Sequence, residues 1–172
     1  MKLQPMGDGY VSNIYQIGNK KVYPLMFEVN YGQMQSLNSY LYDNGKQLVL
    51  IDACIHLPAC NEFFDRQLKE YGLSIEQIDF ILLTHHHGDH VGQVNRLLKI
   101  KNIPIYAHYK SIERLTLEES YLEQRRKFFQ KMYNEYGCLD LGKKQLEKLK
   151  HSAENNKDIK ISVPIHPLYD GE

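Results

Sequence analysis

Thr84-His85-His86-His87-Gly88-Asp89-His90 stands directly after the apolar run Phe80-Ile81-Leu82-Leu83. Four histidines and a carboxylate in six consecutive positions make poor core material, because each would enter an apolar interior with polar atoms to satisfy. Imidazole nitrogen and carboxylate oxygen are instead the ligands that zinc, iron and manganese share. Alternate positions of an extended segment point the same way, so His85 and His87 are candidates to reach one ion together. Asp89 and His90 follow the turn at Gly88 and are candidates to face a second position nearby. The plainer alternatives are a solvated loop or a purification tag. A tag sits at a terminus and lacks the aspartate.

Upstream, residues 10 to 52 read as strands. Tyr10 to Ile17 and Val22 to Val29 are β-branched and aromatic segments around the hairpin signal Gly18-Asn19-Lys20-Lys21. Pro24 marks an edge or a bulge. The polar loop from Asn30 to Gln35 is a candidate flap or a plain connector. Leu37 to Tyr42 and Gln47 to Ile51 flank Asp43-Asn44-Gly45-Lys46, a strong hairpin signal. The second of these strands is apolar without alternation, which predicts cover on both faces. It ends in Asp52, a carboxylate that needs hydrogen bonds or a cation there. Pro58 opens a helix to about Tyr71, with Cys60, Phe64, Leu68 and Tyr71 at helical spacing and Gly72 as its stop. Ser74-Ile75-Glu76-Gln77 has capping-box character and leads to a strand from Ile78 to Leu83.

Downstream, Val91, Val94 and Leu98 mark a second helix, and Ile103 to Ala107 a further strand. This alternation implies right-handed crossovers with helices covering a sheet, an α/β (α+β) architecture. Residues 109 to 156 read as helical and charge-rich. Leu122, Phe129, Met132, Tyr133 and Tyr136 form one apolar stripe, and Leu146, Leu149 and Ala153 a weaker one. These are solvated faces or a capping hairpin. Ile159, Ile161, Val163 and Ile165 alternate like one last strand, which Pro164 makes irregular or an edge.

Composition narrows the function classes. The 172 residues are 42% hydrophobic and 24% charged with zero formal net charge, globular values for one domain with no bulk field for nucleic acid. No window approaches 18 apolar residues, so no membrane span is expected. Residues 1 to 9 contain no apolar core of signal-peptide length. Cys54, Cys60 and Cys138 are too few and odd in number for a disulfide framework, which suggests a reducing, cytoplasmic setting.

The segment 84–90 resembles the HxHxDH signature of the metallo-β-lactamase fold superfamily. The preceding order of meander, apolar strand ending in Asp52, helix and motif strand matches over about residues 10 to 108. The resemblance implies the N-terminal half of an αβ/βα four-layer sandwich, with residues 109–156 as a helical insertion in a single domain spanning 1–172. It assigns His85 and His87 to a first metal and Asp89 and His90 to a second. Asp89 also becomes the catalytic proton acceptor, and Asp52 a supporting carboxylate. The family's usual Asp-Thr-Gly is here Asp52-Ala53-Cys54, which makes Cys54 and His56 candidates for lining the site. His86 points away from its neighbours in an extended segment and is a supporting or exposed residue.

The implied cofactor is zinc, one or two ions, with iron or manganese as alternatives. A metal lowers the pKa of bound water from 15.7 to about 7 and polarises the bond to be cut. The implied activity is hydrolysis of a small ester, thioester, lactone or β-lactam. The diiron branch of the family has glutamate where His87 stands, which favours hydrolysis over redox chemistry. Superfamily nucleases are an alternative; zero net charge argues against a nucleic-acid partner. The family's further histidine, from a Thr-Pro-Gly-His-like loop, has no counterpart in Val163-Pro164-Ile165-His166-Pro167-Leu168. Asp170-Gly171-Glu172 therefore reads as a chain cut in mid-domain. Such a half is expected to bind metal weakly and to self-associate through an uncovered sheet face. On this reading it is an inactive metal-binding or assembly fragment.

Overall fold

The Asp43-Asn44-Gly45-Lys46 turn closes as its sequence predicts. The Gly45 amide donates to Asp43 Oδ1 at 2.7 Å, and Asn44 Oδ1 accepts from the amides of Lys46 and Gln47 at 2.9 Å each. Gly45 itself has φ 84°, the left-handed region where glycine is favoured. In this computed structural model, which describes residues 14–31 and 34–171, the turn joins the third and fourth strands of a seven-stranded sheet. The strands are β1 (Tyr15–Ile17), β2 (Lys20–Tyr31), β3 (Met34–Asp43), β4 (Leu48–Ile51), β5 (Phe80–Leu83), β6 (Ile105–His108) and β7 (Ile165–Leu168). Their order in space is their order in sequence. β1 to β4 run antiparallel as a meander; β4 to β7 are parallel.

Parallel neighbours need crossovers. These are α1 (Pro58–Glu70), then α2 (Gly88–Val91) with α3 (Val94–Leu98), then α4 (Tyr109–Leu115), α5 (Glu119–Glu135), α6 (Leu139–Lys150) and α7 (Ser152–Asn155). The fold class is the mixed α/β one expected. The capping box forms on a single 3-10 turn, Ile75–Gln77, with the Ser74 amide donating to Gln77 Oε1 at 2.7 Å. Pro24 sits at an edge: among the described residues β1 pairs no further than Val22, and Pro24 faces Tyr40 of β3.

The main core gathers Leu25, Leu41, Leu50, Ile81, Ile105 and Ala107 from one sheet face with Phe64 and Leu68 of α1, Val94 and Leu97 of α3, and Leu115 of α4. Each fully buried aliphatic or aromatic side chain stabilises the fold by about 1.5–3 kcal/mol relative to an exposed one. A smaller cluster joins Phe27, Val29 and Leu37 to Cys54, Cys60 and Phe63.

Three expectations need correction. The helix after the histidines is two short ones, and at the break the backbone of Ala53 takes up His90 O and Gln93 N, groups that an unbroken helix would pair within itself. Leu97 is fully buried in the core, and Leu98 packs on it half-buried. The strand expected from Ile78 begins at Phe80, after the 3-10 turn. The last strand begins at Ile165, since Lys157–Ile159 is a 3-10 turn, although Ile159, Ile161, Val163 and Ile165 do all pack on the core. The cover expected on both faces of β4 is found, with Leu48, Val49 and Leu50 buried and Ile51 half-buried, whereas the next two strands are more open on one face. β5 and β6 alternate buried and half-buried residues. A cross-strand row on the second face runs Pro24, Tyr40, Ile51, Leu82, Tyr106 and His166. Tyr10 to Asn13, the tip of the Asn30–Gln35 loop and Glu172 lie outside the described residues.

Candidate metal centre

Strand pairing delivers the site. β4 and β5 are parallel neighbours with Ile51 opposite Leu82, so Asp52 and Thr84 leave the sheet side by side at the carboxyl ends of their strands. In open α/β sheets, ligands collect in that crevice. Asp52 is buried, and it finds three donors there. The Thr84 amide donates to Oδ1 at 2.9 Å, the Thr84 hydroxyl to Oδ2 at 2.7 Å, and His90 Nδ1 lies 2.7 Å from Oδ2. The backbone is stitched across the same gap. Asp52 N donates to Leu82 O at 3.0 Å, Ala53 N to His90 O at 2.6 Å and Gln93 N to Ala53 O at 3.2 Å.

These bonds hold the chain in an unfavourable shape. Asp52 has φ 57° and Cys54 φ 51°, both left-handed and neither glycine. Such residues cost about 1–3 kcal/mol each and persist where the surroundings over-determine them. Gly92 is part of that fixing. A Cβ there would stand 2.5 Å from His56 N and 2.8 Å from Ile55 Cα.

The hydrogen bonds also set the tautomers. As a carboxylate Asp52 only accepts, so His90 Nδ1 carries the proton and Nε2 presents its lone pair. The single hydroxyl proton of Thr84 goes to Asp52. Its oxygen therefore accepts from His85 Nδ1, 3.1 Å away. His85 Nε2 is freed in turn. Burial, then the neighbouring His90 and His87, push the pKa of His85 down, which keeps the imidazole neutral as a ligand must be.

Asp52, His85 and His90 offer donor atoms that all lie within 4.8 Å of one another. The rings of His85 and His90 are 4.0 Å apart and those of His85 and His87 4.7 Å. Asp89 Oδ2 lies 3.6 Å from His90 Nε2. This donor set fits a divalent ion. Both oxygens of Asp52 already accept hydrogen bonds from Thr84 and His90, the arrangement by which a carboxylate orients an imidazole. His87 and Asp89 stand at the rim, at the start of α2, outside the tight group.

The remaining candidates are dispersed. Cys54 is buried in the smaller apolar cluster with its thiol on Cys60. That contact, ahead of burial, pushes Cys60 up and leaves Cys54 lowered. His56 is exposed, 3.1 Å from Asn61 Oδ1, on the wall of a cleft of about 580 Å³ along α3 that includes Gly88, Asn95 and Lys99 but none of His85, His87, Asp89 and His90. His86 is half-buried, with Nε2 enclosed and no partner among the described residues. Burial first, and Arg114 second, push it down to about 4. Sequence reasoning missed the role of Thr84. Its place between a strand-end aspartate and the first histidine was the available signal.

Comparisons with known proteins identify the family. The family model described as the metallo-beta-lactamase superfamily matches residues 35–168. The chain belongs to that superfamily. The Probable metallo-hydrolase YybB of Bacillus subtilis (strain 168) is 29% identical over 109 residues, 63% of this chain and 46% of that protein. The Probable metallo-hydrolase YqjP of the same organism is 30% identical over 110 residues, 63% of this chain and 33% of that protein. The chain thus spans less than half the length of these curated relatives. A crystal structure of a metallo-beta-lactamase family protein from Thermus thermophilus overlaps 88% of this chain and 46% of its own, with TM-score 0.61 and 22% identity, a likeness of fold. No helix among the described residues is long and apolar enough to cross a membrane.

Proposed function

We propose that the chain carries the first metal-ligand set of a metal-dependent hydrolase. The observation that supports this most is the Asp52–Thr84 clamp, which turns His85 and His90 so that both Nε2 lone pairs are free. His85, His87, Asp89 and His90 would hold a divalent ion, zinc in the first instance and iron or manganese as alternatives. Such an ion supplies Lewis acidity, lowering the pKa of a water to about 7. The chain's own residues do the rest. Asp52 and Thr84 would fix the imidazoles, and Asp89 would take a proton from the attacking water. A small ester, thioester, lactone or β-lactam is the substrate class proposed for the whole protein. The three free cysteines support a reducing, cytoplasmic setting.

Residues 109–156, which connect β6 to β7, are read as a helical insertion in one domain. A second reading is favoured by one specific observation. The row Tyr40, Ile51, Leu82 and Tyr106 leaves an apolar sheet face half-exposed, which supports a metal-binding unit that acts only when that face is covered.

Hydrolysis of an ester, thioester, lactone and β-lactam panel by the full-length protein, before and after chelation, tests the first reading. His87→Ala is expected to lower both metal content and turnover. Unchanged values in that variant would sink the assignment.

A further inference from the structure

α5 and α6 supply none of the residues of the metal centre, yet the seam between them carries a charge of its own. The two helices lie side by side, with Gly142 of α6 against the Tyr133 ring of α5. Two open clefts of about 520 and 450 Å³ follow this seam and share Gln130 as a common wall, making one groove. Its lining holds six cations, Arg126, Lys127, Lys131, Lys143, Lys144 and Lys150, and one carboxylate, Glu147. The whole chain has 21 basic and 21 acidic residues. The excess is therefore local, and such a concave run of one sign attracts the opposite one.

Most of the counter-charges stand outside the groove. Arg126 and Lys127 pair with Glu123, Lys131 with Glu135 and Lys143 with Asp140, and none of these three carboxylates lines either cleft. The pairs join exposed neighbours three or four positions apart, which contribute little and exchange readily for another anion. Lys144 makes no ion pair among the described residues. The rest of the lining says what kind of anion fits. Leu139 and Leu146 offer apolar contact, and Gln130 and Asn134 offer amides to a peptide backbone. Neither cleft is lined by an aromatic ring, so a nucleic-acid strand would find no stacking platform for its bases.

We propose that the α5–α6 groove docks an acidic, leucine-containing peptide segment of a partner protein. Its carboxylates lie on the lysines and its apolar side chains on Leu139 and Leu146. From Arg126 to Asn134 the groove follows α5 for about 12 Å, the reach of about four residues of extended chain. The docking is independent of the chemistry at the histidine cluster.

The test uses the 172-residue chain and a fluorescein-labelled peptide of glutamates with interspersed leucines, followed by fluorescence anisotropy. Saturable binding is expected at about 0.01 M salt. It weakens at about 0.15 M, as the Debye length falls from about 30 to about 8 Å. Lys143→Glu/Lys144→Glu is expected to weaken binding at least about tenfold, since like charges then face each other. Lys46→Glu/Lys69→Glu makes the same charge change at exposed sites on the β3–β4 turn and α1, and is expected to keep the parent affinity. Both double variants are expected to melt with the parent protein, because all four lysines are exposed. No saturable binding at low salt, or equal affinity in the two double variants, would overturn the proposal. An oligouridylate of equal charge bound as tightly as the peptide would also overturn it, by assigning the groove to phosphate backbones.

Discussion

The loop between β5 and α2 and the helices between β6 and β7 are similarly rich in ionisable residues, yet they hold them in opposite ways. At the loop, one buried carboxylate gathers three donors within 2.9 Å, and the backbone on one side of the gap adopts a left-handed shape to do it. Along α5 no residue is fully buried. Its charges pair with neighbours three or four positions away, as Glu123 does with Arg126 and Lys127 and Lys131 with Glu135. Exposed pairs of that kind contribute little. The difference teaches where sequence positions are constrained. Residues at the ends of β4 and β5 are fixed by chemistry and packing together; most of those on α5 and α6 need only stay helical and wet.

The sharpest break of that contrast is in the sheet beneath the loop. Ile81 is fully enclosed between β4 and β6. Ile81→Ala is expected to cost about 2–5 kcal/mol in chemical denaturation. Thr84→Val comes next. It keeps the shape but removes the donor to Asp52 and the acceptor for His85, so metal affinity measured by calorimetry should fall about 10–100-fold. Unchanged affinity would show that Thr84 does not set the His85 tautomer. Gly142 marks the exception among the helices, because a side chain there would run into the Tyr133 ring. Gly142→Ala should loosen α6 from α5, seen as faster amide exchange in both helices, while metal affinity stays at the parent value. Leu141, 86% exposed, is the smallest case. Leu141→Ala should change stability by no more than about 0.5 kcal/mol.

Much of this was legible in the sequence, and the parts that were not have physical reasons. The Asn44-Gly45 hairpin, the Pro58 helix start and the Ser74–Gln77 box are local signals, and local chemistry decided them. The histidine-rich loop was legible because its residue types have so few other uses. Three things escaped for want of a third dimension. The break after Val91 goes with the bonds of Ala53 to His90 O and Gln93 N, a long-range pairing that no helical period records. The strand expected from Ile159 starts later, because burial at alternate positions is achieved there by an irregular segment packed on the core. The clamp joins Asp52 to Thr84 and His90, separations of 32 and 38 positions that only the parallel pairing of β4 and β5 closes.

The most direct test of the account is titration of the 172-residue chain with zinc, followed by calorimetry, for the parent protein and for His85→Ala and His90→Ala. The clamp predicts saturable binding in the parent, weaker than in a complete catalytic site because so few ligands are gathered. It also predicts a loss of at least about tenfold in each variant. Zinc binding of equal strength in all three proteins would contradict the claim that Asp52 and Thr84 prepare His85 and His90 to hold a metal.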